Sequence, residues 1–336
     1  MIAPPPQLRA ALPAELRGLR RDGAKLCVVD RSRRRITHTT VAHLDDHLEA
    51  GDVLVVNSSR TLPGALAVLR ANGSTVQLRS AMQRADGWDA LAVEVTPPHR
   101  NVTLDIAETL IAASGLRLRV ISRRAGAPLL WRLNIEAGDG LDALLRDGEP
   151  IRYSYVPDHV PLEHYQTVYA TVPGSVETPS AGRHLTWELL TRMRAKGVRI
   201  ADIVLHCTIS SMQDDDVDAR KPLIEEWFRV DERAAEAVNT ARRVIAVGTT
   251  VIRALESTVD ARGMVQPAEG WTDLVIRPDS RLRAVDGLLT GLHEPPATHL
   301  DILRAVVDAD LLERAYAEVR EREYLWHEFG DAMLIA

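Results

Sequence analysis

Two short polar clusters and two further loop histidines carry the side chains that catalysis or ligand binding would need. The first is Gly248-Thr249-Thr250, set between the apolar run Val244-Ile245-Ala246-Val247 and a helical stretch from Val251 to Thr258. A glycine there lets the backbone turn sharply, and the first amides of a helix lack internal partners, so a carboxylate or phosphate is favoured at that point. Plain helix capping is the alternative. Arg253 and Glu256 follow at i, i+3, a spacing that predicts a surface ion pair worth under ~1 kcal/mol. The second cluster is Pro179-Ser180-Ala181-Gly182-Arg183-His184-Leu185-Thr186, a small-residue loop that feeds a helix and carries an imidazole. Histidine titrates nearest neutrality, which makes His184 an acid/base candidate against the alternative of a structural or solvated ring. His206, at the end of a strand, and His293, in Thr290-Gly291-Leu292-His293-Glu294-Pro295, invite the same weighing. Ligands gather at the carboxyl ends of parallel strands, so such loops converge in an α/β unit.

Metal chemistry is not expected. His43 and His47 stand at i, i+4 on a helical stretch, but no third ligand is assigned, and His293-Glu294 lacks the second histidine of H-E-x-x-H because Ala297 stands there. Asp214-Asp215-Asp216 with Asp218 lacks the glycine and terminal glutamate of a calcium loop and reads as a solvated loop. No G-x-G-x-x-G, P-loop or G-x-S-x-G motif occurs, which argues against ordinary dinucleotide, NTPase and α/β-hydrolase chemistry.

The elements that must position these clusters are legible from texture. Lys25 to Asp30 and Val53-Leu54-Val55-Val56 read as strands, the second ending at the polar Asn57-Ser58-Ser59-Arg60. From Leu66 to Tyr153 short β-type pieces, such as Ala90 to Val95 and Leu116 to Ile121, alternate with turn signals at Asn72-Gly73, Asp86-Gly87, Pro97-Pro98 and Gly138-Asp139-Gly140. Beyond Tyr153 the pattern becomes α/β. Thr186 reads as the N-cap of a helix from Trp187 to Lys196 stopped by Gly197, followed by a strand from Val198 to Leu205. A strand is expected at Leu274 to Ile276, and one long helix from Thr298 toward Glu323. The expected fold class is therefore α/β, with a discontinuous main domain, 1–65 and 154–336, around an inserted, mostly β, barrel-like domain at 66–153.

Composition bounds the function. The 336 residues are 46% hydrophobic and 26% charged, ordinary values for a folded globular chain of about two domains. Lys+Arg 41 against Asp+Glu 47 leaves a net charge of −6, so bulk electrostatics do not mark a nucleic-acid binder, although a local basic patch is compatible with that balance. Two cysteines far apart, Cys27 and Cys207, point to a reducing cytoplasmic setting. No export signal or membrane span is expected.

The ordered motifs are more specific than any one of them. Tyr165-Gln166-Thr167-Val168-Tyr169-Ala170, Pro173-Gly174-Ser175-Val176, Thr178 to Gly182 and His184 resemble the central motif of the S-adenosylmethionine:tRNA ribosyltransferase-isomerases of queuosine biosynthesis. Val244 to Thr250 with Arg253, Leu255 and Glu256, then Gly270 to Asp273, Val285-Asp286, His293 with Pro295, and Gly330-Asp331-Ala332-Met333-Leu334 follow in the family's order. Leu12-Pro13 and the Gly51-Asp52 strand ending in Asn57, Arg60 and Pro63 match too.

The resemblance implies an α/β domain interrupted by a β-barrel-like domain. It also implies transfer of the ribosyl part of S-adenosylmethionine, as co-substrate, to the aminomethyl group of a 7-deazaguanine at the tRNA wobble position. The product is an epoxycyclopentanediol, and adenine and methionine leave. The sulfonium acidifies the neighbouring 5′ carbon, so the reaction needs a base, adenine recognition and a carboxylate site. His184 is the base to test first, with His206 and His293 beside it. Ser180, Gly182, Thr186, Gly248, Thr249, Thr250, Arg253, Glu256 and Asp331 are the candidate S-adenosylmethionine contacts, Arg253 with the Gly248 to Thr250 turn suiting the methionine carboxylate.

Several motif loops depart from the family. Gly-Leu-His-Phe-Thr is here Gly182-Arg183-His184-Leu185-Thr186, and His-Val-Gly-x-Gly-Thr-Phe is His206-Cys207-Thr208-Ile209-Ser210-Ser211-Met212. Pro222-Leu223-Ile224-Glu225-Glu226-Trp227 lacks the paired histidines, and a lysine near His293 is replaced by Pro296. Losing a cation weakens phosphate attraction. Two alternatives therefore stand beside tRNA modification: the same sulfonium chemistry on a small-molecule acceptor or as simple cleavage, and a non-catalytic tRNA- or nucleotide-binding module.

Overall fold

A computed structural model describes residues 6–84, 87–153, 155–156, 159–219, 224–294 and 299–336. Met1 to Pro5, Asp86 of the expected Asp86-Gly87 turn, Pro222 and Leu223, and Pro295 to Thr298 with its expected cap lie outside the described residues.

A nine-stranded mixed sheet runs Ala268–Thr272, Glu226–Val230, Arg199–Leu205, Val53–Asn57, Val244–Val247, Gly287–Gly291, Ala332–Ile335, Lys25–Asp30 and Arg35–Thr40. The four strands from Arg199–Leu205 to Gly287–Gly291 in that order are parallel to one another. Val53–Asn57 is buried throughout because its alternating residues face two cores. Val53 and Val55 pack with Val251, Leu255, Ala234 and Leu311 on one side. Leu54 and Val56 pack with Leu44, Leu189 and Met193 on the other. Helices therefore cover both faces, and the parallel strands share one carboxyl edge. The chain passes from Val53–Asn57 to a neighbour on one side, Arg199–Leu205, and then to one on the other, Val244–Val247, which makes the end of Val53–Asn57 the switch point of the sheet.

The second sheet uses strands between Ala65 and Glu149, all antiparallel. Pairing of Ala65–Leu69 with Thr109–Ala112 closes it into a barrel filled by Leu66, Leu78, Trp88, Leu118 and Leu133. A short parallel pair, Ser59–Thr61 with Val172–Ser175, joins the barrel's approach to the main sheet.

Most helix and strand expectations hold. The acidic run expected as a solvated loop instead forms a short helix, Asp215–Ala219, with Asp214 accepting from the Val217 amide at 3.0 Å and Asp218 from the Met212 amide at 2.7 Å. Trp187–Ala195 is capped by Thr186, whose hydroxyl accepts from the Leu189 amide at 3.2 Å, and Lys196 follows as the C-cap. The helix after Gly248 begins earlier than expected, at Thr249, and spans Thr249–Glu256. The long C-terminal helix is two helices, His299–Val306 and Ala309–Glu321, because Asp308 adopts extended backbone and caps the Leu311 amide at 3.0 Å. The expected strand at Leu274 to Ile276 is a loop; the strand is Ala268–Thr272. His43 and His47 lie in a tight 3-10 stretch, Val41–His47, in which His43 leaves helical geometry, so they do not share an α-helical face. Among the described residues no helix is long and apolar enough to cross a membrane.

Asp331 ties the sheet's far edge together. Its buried carboxylate accepts from the Lys25 and Leu325 amides, each at 2.7 Å, at the entry to two elements. Asp331→Ala leaves both amides unpaired and is expected to lower stability by about 2–3 kcal/mol, read as a reduced urea midpoint, with Asp331→Asn in between.

Candidate active site

Asn57, the last residue of its strand, is buried and satisfied on every side. Its Oδ1 accepts from the Leu205 amide at 3.0 Å and the Ser59 amide at 3.1 Å. Its Nδ2 donates to the Leu205 carbonyl at 2.8 Å and to Thr250 Oγ1 at 3.4 Å. One amide therefore links the ends of two strands to the start of the Thr249–Glu256 helix.

The chain leaving Asn57 meets His206. Ser59 Oγ lies 2.6 Å from Ser175 Oγ and 2.8 Å from His206 Nδ1, and Ser175 Oγ accepts from the Cys207 amide at 2.9 Å. The imidazole stacks on Trp227 at 5.1 Å and 21°. It fills the space beside Gly174, where a Cβ would come within 2.4 Å of the ring. Burial, reinforced by Arg229, pulls its pKa down to about 4, so the ring is neutral at pH 7. Its Nε2 carries no hydrogen bond among the described residues, leaving a free lone pair or proton site.

Gly248 adopts φ +93°, a conformation glycine takes without strain, and its amide donates to the Leu289 carbonyl at 2.8 Å. Ala181 of the Ser180–Gly182 turn closes over it, 3.4 Å from where a Cβ would stand, and Gly182 faces Tyr169 and Val247. The Ser180–Gly182 turn, Gly248 and the Thr249–Glu256 helix start are thus one neighbourhood at the strand ends.

The other sequence-predicted residues divide. His184 is buried at 4% exposure, its Nδ1 has no partner among the described residues, and burial, with Arg183 adjacent, lowers its pKa to about 4. Arg183 is wholly buried, donating to the His164 carbonyl at 2.6 Å and to Glu15 at 2.8 Å. His293 lies at the end of Gly287–Gly291, 3.2 Å from Thr290 Oγ1 and stacked on His299 at 4.4 Å, and burial holds it far below the usual histidine range. Thr186 caps its helix and donates to Asp22 at 3.3 Å.

The expected Arg253–Glu256 pair is replaced by other partners. Arg253 bonds the Glu226 carboxylate and donates to the Leu274 carbonyl at 3.0 Å, while Glu256 accepts from the Arg283 and Ala284 amides at 2.8 Å. Helix spacing brought the two onto one side, but a strand and a loop supply better-placed partners. Glu226 also accepts from the Thr208 amide at 3.0 Å, so Arg253 braces the loop after His206. Asp331 is engaged by the two amides described above.

That loop leads into a cavity of about 470 Å³ lined by Tyr153, Tyr155, Ser210, Ser211, Gln213, Glu294 and His327. Glu177 borders it, accepting from the Tyr153 hydroxyl and from the Ser210 amide at 2.8 Å, and burial raises its carboxyl. Nothing in the sequence marks this pocket; Asn57 and Ser59 stand there only as members of a strand-end polar cluster, and Ser175 and Glu226 only within motif runs. A second cavity of similar size, lined by Arg20, Asp22, Ala42, His43, Asp45, Asp46 and Arg192, shares no residue with the strand-end cluster. Among the described residues no group of His, Cys, Asp or Glu is arranged to hold a metal ion. Both cysteines are free and buried, with thiols raised by burial.

The family described as "Queuosine biosynthesis protein" matches residues 3–335. The chain belongs to this family. A relative from Thermus thermophilus named S-adenosylmethionine:tRNA ribosyltransferase-isomerase is 37% identical, over 94% of this chain and 93% of its own length. One of the same name from Carboxydothermus hydrogenoformans is 34% identical, over 98% and 97%. The crystal structure of an S-adenosylmethionine tRNA ribosyltransferase from Thermotoga maritima aligns with a TM-score of 0.54 and 27% identity, covering 99% of this chain and 98% of that one. The queuosine family's mixed α/β body with a separate antiparallel sheet is therefore the fold of this chain.

The buried histidines have a consequence for stability. His184 and His206 titrate near 4 when folded, against 6.5 for an ordinary histidine. The unfolded chain binds more protons between those values, so these two rings are expected to make stability fall as pH drops from about 6.5 to about 4, their own contribution being spent below that. Urea midpoints across that window test this: His184→Gln and His206→Gln each make the decline shallower, and an unchanged slope in both variants contradicts burial as the cause.

Proposed function

We propose that this chain, acting in the cytoplasm, transfers and isomerises the ribosyl moiety of S-adenosylmethionine onto 7-aminomethyl-7-deazaguanine in tRNA, giving epoxyqueuosine and releasing adenine and methionine. The observation that carries the reading is the convergence, at one sheet edge, of a helix start, a small-residue turn and a neutral histidine hydrogen-bonded to serine. Family membership over nearly the whole chain supports the same reading. The helix amides at Thr249 and Thr250, covered by Ser180 to Gly182, suit the methionine carboxylate. His206 takes the 5′ proton made acidic by the sulfonium. It is neutral, its Nδ1 is held by Ser59, and its Nε2 has no hydrogen bond among the described residues. His184 and His293 are engaged elsewhere, beside Arg183 and against His299 respectively.

The discontinuous division into 1–65 with 154–336 and an insertion at 66–153 belongs to this proposal, supported by barrel strands that fall between Ala65 and Glu149. The altered loops had left a small-molecule acceptor open. Relatives at 32–37% identity carry tRNA in their names, which favours tRNA as the acceptor here.

Incubating the chain with S-adenosylmethionine and tRNA bearing the aminomethyl base, followed by mass spectrometry, is expected to yield adenine, methionine and the epoxycyclopentane nucleoside together. Adenine without modified tRNA, or intact S-adenosylmethionine, contradicts the proposal. His206→Ala is expected to lower kcat by about 10²–10⁴-fold. Full activity in that variant assigns the base elsewhere.

Arg253→Ala is expected to cost about 3 kcal/mol of stability by stranding Glu226. The double change Arg253→Met with Glu226→Met restores most of it. Lost S-adenosylmethionine affinity at unchanged stability would instead make Arg253 a carboxylate ligand.

A further inference from the structure

The inserted barrel supplies no side chain to the strand-end cluster, so the reaction proposed above leaves it without a task. Arginine and acidic residues are in near balance between 66 and 153, and the chain's excess of acid lies in the body. Strand Arg117–Arg124 crosses the barrel wall between Ala127–Ala137 and Thr109–Ala112. Leu118 and Val120 belong to the barrel core, so the alternating Arg117, Arg119, Ile121 and Arg123 fall on the outer face. Ile111 stands opposite Arg117 and is exposed, as Ile121 is. Cations and aliphatic side chains therefore share one surface.

Most of that charge is uncompensated. Arg119 donates to Glu136 at 2.7 Å. Arg117 is exposed, has no side-chain hydrogen bond among the described residues, and meets Glu136 only through its field. Arg123 lies over the Trp131 ring, 3.7 Å from its centre, and donates to the Pro128 carbonyl at 2.7 Å. No carboxylate among the described residues pairs with it, and partial burial disfavours its charge with nothing anionic to offset that. Stacking on the indole fixes the plane of the guanidinium, and its Nε and Nη2 have no partner among the described residues.

Arg117 and Arg123 stand six residues apart on one strand, about 20 Å. Guanidinium groups suit phosphate oxygens, and that separation demands an extended polyanion, since a single phosphate reaches only one of them. We propose that this strand is where the tRNA backbone docks, Arg117 and Arg123 each meeting a phosphate while the strand-end cluster handles the donor. The inference rests on the queuosine reading above. Phosphate contacts set the position of a nucleic acid without reading its sequence. Gathered on one face, they let a chain of net charge −6 hold a polyanion.

The test titrates the full chain with full-length tRNA bearing the aminomethyl base at several salt concentrations. Arg117→Ala with Arg123→Ala is expected to weaken binding at least about tenfold at low salt and to reduce the magnitude of the log-log salt slope by about 1–2. S-adenosylmethionine affinity stays within about twofold, and in turnover KM for tRNA rises while kcat holds. Arg233→Ala with Arg262→Ala, which removes the same charge from exposed positions of the body, leaves the slope unchanged. If Arg123→Ala disturbs the barrel, Arg117→Ala alone carries the test, with a slope change of about 1. An unchanged slope in the barrel variant, or an equal change in the body variant, overturns the assignment. So does loss of binding to phosphatidylserine vesicles with tRNA affinity kept, which makes the strand a membrane-facing surface instead. Modification of tRNA by wild type, with an unchanged slope in the barrel variant, overturns only the docking strand. Failure of wild type to modify tRNA overturns the functional reading itself.

Discussion

The site depends on the hydrogen bonds of the Asn57 side chain. At the carboxyl edge of a parallel sheet the strands part and their last backbone groups lose their neighbours. Asn57 restores those bonds with an amide that both donates to and accepts from Leu205, and it reaches Thr250 with the same nitrogen. An apolar residue of equal size would leave the Leu205 amide and carbonyl unpaired in the interior, where each such group carries a desolvation cost. The clamp fixes how far apart the His206 strand and the Gly248 turn stand, and hence the width of the space between the proposed base and the proposed carboxylate cradle.

Burial then supplies the chemistry. His206 is enclosed by Trp227 and Gly174 and loses its charge, leaving a neutral ring oriented by Ser59. A neutral imidazole neither repels a sulfonium nor needs to shed a proton before acting as a base. The carboxyls move the opposite way, as burial raises both Glu177 and Glu328. Burial therefore favours the neutral form of the imidazole and of the carboxyls alike.

Much of this was legible in the sequence where the signal was local. Val244 to Thr250 announced strand, turn and helix because an apolar run meets glycine and hydroxyls within seven residues, and His206 stood out at the end of a strand. Signals that depend on distant partners were not legible. Arg253 and Glu256 have the spacing of a helix pair, yet Glu226 and the Arg283 and Ala284 amides claim them. The break at Asp308 was hidden by an apolar pattern that continues across it, although Asp308 with Leu311 is an ordinary capping spacing. Tyr153, Tyr155, Glu177 and His327 come from three parts of the chain and have no motif; only stacking and hydrogen bonding bring them together.

The central claim is that the donor sits at the carboxyl edge around Asn57. Hydrogen exchange with and without saturating S-adenosylmethionine tests it most directly. Slowed exchange is predicted in peptides covering 57–61, 175–184, 204–210 and 248–252, four segments far apart in sequence. Protection confined to the segments around Arg20, His43 and Arg192, with those four unchanged, would contradict it.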